Sequence, residues 1–252
     1  MPLLTLARDL HRRKARERQG LFVAEGVRAV DELLRSSVKV RGALVGPHLT
    51  ESPRGAELVT ALAARHVPIQ EVGEREFDSA AGTESPQGIL AIGVVPDHTL
   101  ADLPAVDSMR LLILDAVQDP GNVGTILRTA AALGVTATFA LPGTVDLWNA
   151  KVVRSAMGAH FHHPCLNGTW DELDSFRRER AVDVWAADAA GDSIETVTPP
   201  ARLAIVVGNE GNGLSSLTRT RADRLVALPI ASTVESLNVA VAAGILLYEL
   251  RR

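Results

Sequence analysis

The run Leu203-Ala-Ile-Val-Val207 opens into Gly208-Asn-Glu-Gly-Asn-Gly213, and a second segment, Leu228-Pro-Ile-Ala-Ser-Thr-Val-Glu-Ser-Leu-Asn238, follows soon after. Each joins apolar, partly β-branched residues to residues that permit tight turns, the pattern of a strand end running into a loop. Together they read as two neighbouring strand ends whose loops converge on a small ligand. Glycines at 208, 211 and 213 let the main chain approach that ligand closely, while Asn209, Glu210 and Asn212 supply polar handles.

Working outward, the stretch Leu111-Leu-Ile-Leu-Asp115 is continuously apolar up to its aspartate, as expected for a strand covered on both faces of a parallel sheet. A helix running to Leu133 follows it, with Gly134 as its stop. Strand-like 135–141, helical 147–157 and 170–180, and strand-like 182–187 continue the alternation. The spacing predicts a doubly wound α/β domain over residues 110–252. Ahead of it, strand-like 21–24, 40–45, 67–72 and 88–95 alternate with helical 27–34 and 56–65, which predicts a smaller α/β domain over 1–96. Residues 97–109 lack periodicity and read as the linker. The last segment, Leu237 to Leu250, is apolar on nearly every face, so its own domain or a second copy of the chain must cover it.

Composition removes several function classes. The 252 residues are 46% hydrophobic, with a formal charge of −4, so there is no bulk basic signature for nucleic acid. One local candidate remains, the cluster Arg8, Arg12, Arg13, Lys14, Arg16 and Arg18, although a solvated helix face explains it equally well. Cys165 is the single cysteine, which excludes an internal disulfide and fits a reducing, cytoplasmic setting. The longest apolar stretch, Val239 to Leu247, is interrupted by Gly244 and too short for a bilayer, so no membrane role is expected. No metal is expected either, because His160, His162 and His163 lack a companion at ligand spacing. The glycine order 208–213 is G-x-x-G-x-G, not the G-x-G-x-x-G that opens a dinucleotide-binding helix.

Four polar residues stand out. Asn122 is placed to cap the helix that runs to Leu133. Arg128 lies off that helix's apolar stripe, one turn beyond Gly124, and a guanidinium near strand ends suits phosphate because its fork makes bidentate, charge-assisted bonds. Ser232-Thr-Val-Glu235 matches a capping box for the last helix, which leaves Ser236 and Asn238 needing other partners.

Asn122-x-Gly124-x-x-x-Arg128, Gly208-x-Glu210-x-x-Gly213-Leu214 and Pro229 followed by Ser236-Leu-Asn238 resemble the three ordered motifs of the SpoU (TrmH) family of RNA ribose methyltransferases. Phe22-Val-Ala-Glu25-Gly26 and Ser85-Pro-Gln-Gly88 are similar to the substrate-binding extension of its ribosomal RNA members. The resemblance implies a parallel-sheet domain with a C-terminal trefoil knot, a homodimer, and S-adenosylmethionine as cofactor. It also implies methyl transfer to a ribose 2′-hydroxyl of RNA, 23S ribosomal RNA in particular. The cofactor contacts would fall on Gly208, Glu210, Leu228, Ile230, Ser236 and Leu237, with Arg128, Asn122, Glu210 and Asn238 as the catalytic group. A transfer-RNA methyltransferase, a non-catalytic ribosome-assembly protein of the same fold, and a nicotinamide enzyme are the competing readings.

Overall fold

A computed structural model describes residues 1–251, and the chain forms two compact units. The first comprises Met1–Asp97 with Trp148–His162; the second comprises His98–Leu147 and the chain from His163 onward.

The basic start of the first unit forms two short helices, α1 (Leu3–Asp9) and α2 (Arg13–Gln19). Within this cluster Arg16 is buried and donates to the carbonyls of Leu10 (2.7 Å) and His11 (2.9 Å), which lets it satisfy the end of α1 rather than face a partner. Strand β1 (Leu21–Glu25), helix α3 (Val27–Arg35), β2 (Val40–Val45), α4 (Pro53–Ala64), β3 (Ile69–Glu71), α5 (Glu74–Asp78) and β4 (Ile89–Val94) follow. The sheet order is β1-β4-β2-β3, with β4 antiparallel to both neighbours and β3 parallel to β2. Ser52 caps α4 by accepting from Gly55 N, with Pro53 at the first helical position, an arrangement favoured because proline lacks the amide hydrogen that would be left unbonded there.

In the second unit β5 (Met109–Asp115), α6 (Pro120–Ala132) and β6 (Ala137–Ala140) come first. Residues 97–109, read as a linker, carry a 3-10 turn at Leu100–Asp102, and Leu100 and Leu103 pack against this unit's core. The chain then leaves for the first unit over Trp148–His162, where Asn149 caps the short helix α7 (Ala150–Ser155). There the Phe22 ring of β1 lies 4.5 Å from the Trp148 ring and 5.8 Å from that of Phe161. Gly158, at φ 90°, sits so close to α3 that a Cβ would fall 2.6 Å from the Glu32 Cβ. The segment that the sequence assigned to the second domain therefore packs as part of the first unit.

The remaining elements are β7 (Cys165–Asn167), α8 (Trp170–Arg180), β8 (Asp183–Ser193), β9 (Arg202–Gly208), α9 (Ser216–Arg221), β10 (Arg224–Ala227) and α10 (Val239–Glu249). All six strands of the second unit are parallel, in the order β10-β8-β9-β5-β6-β7. Strand β5 is central, and its alternation divides the core: Leu111 and Ile113 pack with Trp170, Leu173 and Phe176 of α8. Helices α6 and α10 pack against each other, and α10 also packs on β9. Each fully buried leucine or isoleucine here contributes about 1.5–3 kcal/mol relative to exposure.

Candidate active site

In a parallel sheet ligands gather beyond the carboxyl ends of the strands, where the strand order reverses direction. Here that point lies between β5 and β9: the chain steps outward from β5 to β6 and β7, then returns to the other side through β8 and β9. The loops after β5 and β9, and the segment before α10, meet there.

Their junction is a hydrogen-bonded chain through three side chains. The Glu210 carboxylate accepts from Asn122 Nδ2 (3.1 Å) and from the amides of Gln118 (3.1 Å) and Asp119 (3.0 Å). Asn238 Nδ2 in turn donates to Asn122 Oδ1 at 3.0 Å. Partial burial pushes the Glu210 carboxyl up, but these hydrogen bonds outweigh it and hold the group below the ordinary glutamate value. Glu210 is thus an anion that fixes two loops against each other.

Neighbouring residues brace the junction. Asn209 Nδ2 donates to the carbonyl of Ala116 (2.9 Å), and its Oδ1 accepts from the amides of Gly211 and Asn212, an asparagine turn that shapes the glycine loop. Asn209 and Gly213 exchange both backbone hydrogen bonds at 2.9 Å. A Cβ on Gly208 would lie 2.4 Å from the Gly213 carbonyl carbon, so only glycine permits this closure. Buried Asp115 accepts from Ser215 N at 2.7 Å. Ala116 takes the left-handed φ of 58°, a conformation that costs a non-glycine residue about 1 kcal/mol or more.

The loops enclose a cavity of about 450 Å³, within the range of small-molecule sites. Gly208, Glu210, Leu228, Ile230, Ser236, Leu237 and Asn238 line it. Asn122 is tied to its edge through Glu210 and Asn238, whereas Arg128, exposed on α6, is not among the lining residues. Asp188, Glu210 and Glu235 are the charged residues of the lining, which contains neither lysine nor arginine; Asp188 is paired with Arg219. Apolar Val207, Val226, Leu228, Leu237 and Leu246 complete the walls. Such a site suits a compact ligand with a flat apolar part and positive charge, and it disfavours the pyrophosphate of a dinucleotide.

Two capping expectations change. Asp119, not Asn122, is the N-cap of α6: its carboxylate accepts from Asn122 N at 2.8 Å, and Pro120 presets the first turn. The Asn122 carboxamide is thereby released for Glu210 and Asn238. Ser232–Glu235 is no capping box, because α10 begins at Val239 and Asn238 Oδ1 accepts from Ala240 N and Val241 N. An asparagine directly before the apolar run displaces the earlier serine as cap. Sequence reading missed Asp188, and missed the bracing by Asp115 and Asn209, because these bonds span some 90 to 100 residues and no local period marks them. The histidines separate: the His160 ring lies 4.2 Å from Trp148, His162 faces Glu32 at 3.7 Å, and His163 bonds Thr138 at 2.8 Å. Among the described residues no group of three or more His, Cys, Asp or Glu could hold a metal.

Comparison with known proteins identifies the family. Residues 109–248 match the SpoU rRNA Methylase family, and residues 4–91 match an MRM3-like substrate binding domain. The chain is 35% identical over 245 residues to the 23S rRNA (guanosine(2553)-2'-O)-methyltransferase RlmP of Bacillus subtilis, covering 97% of this chain and 94% of that protein. It is 36% identical over 208 residues to the 23S rRNA (guanosine-2'-O-)-methyltransferase RlmB of Salmonella typhi, covering 79% and 85%. The crystal structure of an AdoMet-bound rRNA methyltransferase from Sinorhizobium meliloti superimposes with a TM-score of 0.88 at 29% identity, over 100% of this chain and 94% of that one.

Proposed function

The chain belongs to the SpoU rRNA methylase family, and on that premise we infer that it transfers the methyl group of S-adenosylmethionine to a ribose 2′-hydroxyl of 23S ribosomal RNA. The observation that carries this reading is the cavity at the β5–β9 switch point, walled by backbone and apolar residues and bearing carboxylates without a lining cation. S-adenosylmethionine has an adenine ring, a sulfonium and an ammonium group, so the lining fits it. Gly208, Leu228, Ile230, Ser236 and Leu237 would hold it, with Glu210 beside them. Bound there, it supplies an activated methyl group.

The remaining work falls to the protein's own residues. Methyl transfer requires the 2′-oxygen to be aligned with the bond being broken and to lose its proton as it reacts. A guanidinium offers N–H donors and no acceptor, so Arg128 acts as a donor: it fixes the adjacent phosphate and stabilises negative charge developing on the 2′-oxygen. The proton passes to phosphate or water. Glu210, Asn122 and Asn238 hold the loops that carry the reacting groups in register.

A homodimer belongs to the same reading. Val241, Ile245 and Tyr248 are 52%, 39% and 46% exposed on α10, and their spacing of four and three residues sets them along one stripe. A second copy would cover it. The trefoil knot would be formed by the chain that includes the two opening segments, and a ribosomal RNA substrate places the protein in the cytoplasm.

Calorimetry with S-adenosylmethionine, together with mapping of ribose methylation in 23S ribosomal RNA from cells with and without the protein, tests the assignment. Arg128→Ala should lower turnover about 10²–10³-fold, as loss of a transition-state donor does, with cofactor affinity unchanged. Full turnover in that variant, or absence of cofactor binding by the wild type, overturns the reading.

A further inference from the structure

The first unit contains a second concave site that shares no residue with the cofactor cavity. It has a volume of about 270 Å³ and is lined by Gly26, Arg28, Thr83, Ser85, Gln87 and Arg154, with Glu25 at its base. Three separate stretches build it: the β1–α3 turn, the loop before β4, and α7 of the excursion at 148–162.

The site is rich in donors that the protein does not use. Neither Arg28 nor Arg154 makes a side-chain hydrogen bond among the described residues; the nearest partner of Arg154 is Glu25, with Nη1 to Oε2 at 3.8 Å. Gln87 commits its Oε1 to Val27 N at 2.9 Å, which leaves both Nε2 hydrogens. Ser85 Oγ makes no hydrogen bond within the described chain. The one strong acceptor is already engaged: Glu25, with its side chain 4% exposed, accepts from Gly82 N (2.9 Å) and from the Thr83 hydroxyl. Two guanidinium charges against one carboxylate leave a net charge of +1, and Glu25 orients Arg154 without consuming its hydrogen bonds.

A pocket of unspent donors with net positive charge calls for a ligand that only accepts, and guanidinium pairs match tetrahedral phosphate oxyanions. We propose that this pocket binds a phosphodiester of the RNA substrate, with Arg28 and Arg154 as its ligands and Glu25 as the residue that positions Arg154. The proposal rests on RNA being the substrate. The same chemistry would hold free inorganic phosphate, and the experiment separates the two sources.

Binding of an in-vitro-transcribed 23S ribosomal RNA is measured across a salt series for wild type, Arg28→Ala, Arg154→Ala and the double variant. Arg65→Ala, an exposed arginine at the end of α4, controls for lost net charge, and Arg154→Gln replaces Arg154→Ala should the latter unfold. The double variant should lose about 10–100-fold in affinity, and the slope of log affinity against log salt should shrink by about 0.7–0.9 for each phosphate contact removed. S-adenosylmethionine affinity should stay at the wild-type value. Unchanged affinity and slope overturn the proposal, as does calorimetric binding of inorganic phosphate that the double variant loses while RNA affinity holds. A wild-type protein that binds S-adenosylmethionine but not the transcript overturns the RNA reading itself, and the pocket assignment with it.

Discussion

On the proposed assignments, the cavity of the second unit and the arginine-lined pocket of the first solve opposite problems by opposite means. The cavity of the second unit is made largely of backbone: glycines that admit close approach, a two-way bridge between Asn209 and Gly213, and side chains such as Glu210, whose carboxylate accepts three hydrogen bonds from the protein. The pocket of the first unit is made of side chains whose donors stay unspent, supported by one buried carboxylate. A small cofactor that must be placed to within a fraction of an ångström calls for the first design. A polyanion that must be gripped calls for the second. Changes to the cavity should therefore damage cofactor binding and leave salt-dependent RNA binding intact, while changes to the pocket should do the reverse.

The hardest break of that comparison is Gly208→Ala. The new methyl would meet main-chain atoms, the Gly213 carbonyl carbon at 2.4 Å and Leu214 N at 2.6 Å, which have no rotamer into which to retreat. Overpacking of this kind costs about 1–3 kcal/mol, equivalent to roughly 5–150-fold in affinity. Calorimetry with S-adenosylmethionine should show that weakening, while binding of the transcript retains its wild-type salt slope. Loss of both together would mean the two sites are not separable.

What was legible in the sequence follows the same division. Motifs near residues 122, 208 and 238 are local runs of glycine, asparagine and β-branched residues, so they pointed to a ligand site and, by resemblance, to the family that the comparisons show. The parallel sheet was legible because Leu111 to Leu114 of β5 are apolar without interruption. The division of labour within the site was less so: Asn122 was read as a cap because Asp119 caps from only three residues earlier, and both types cap well. The membership of 148–162 in the first unit was not legible at all. It depends on Phe22 meeting Trp148 and Phe161, partners more than 120 residues away, and on Gly158 lying against Glu32. Periodicity reports which face of a helix is apolar, not which distant surface will cover it.

Gly158→Ala is the milder break, aimed at the first unit. Its φ of 90° is unfavourable for alanine, and the methyl would lie 2.6 Å from Glu32 Cβ and Cγ. The α3 side chain can give somewhat, so we expect about 2 kcal/mol of lost stability. Hydrogen exchange should locate the loss in α3 and α7, and RNA affinity should fall because Arg154 rides on the same segment. Cofactor affinity should hold. Protection lost instead in β5 and β9 would show that the excursion supports the second unit rather than the first.

The smallest expected effect lies where the chain returns from that excursion. His163 is the first residue back in the second unit; it is 6% exposed and bonded to Thr138, and burial lowers its pKa to about 4. In the unfolded chain the imidazole titrates near 6.5, so between pH 6.5 and 4 the unfolded state binds the extra proton and stability falls as pH falls. From pH 7.5 to 5.5 this single group should remove on the order of 1 kcal/mol, read as a drop in the unfolding midpoint in denaturant. His163→Gln keeps a hydrogen-bonding partner for Thr138 but cannot titrate, so its midpoint should fall less over that interval. An identical fall in the variant would assign the pH dependence to other groups. A reduced fall accompanied by early exchange in β6 and β7 would show that the return point is held by the neutral, buried hydrogen bond between His163 and Thr138.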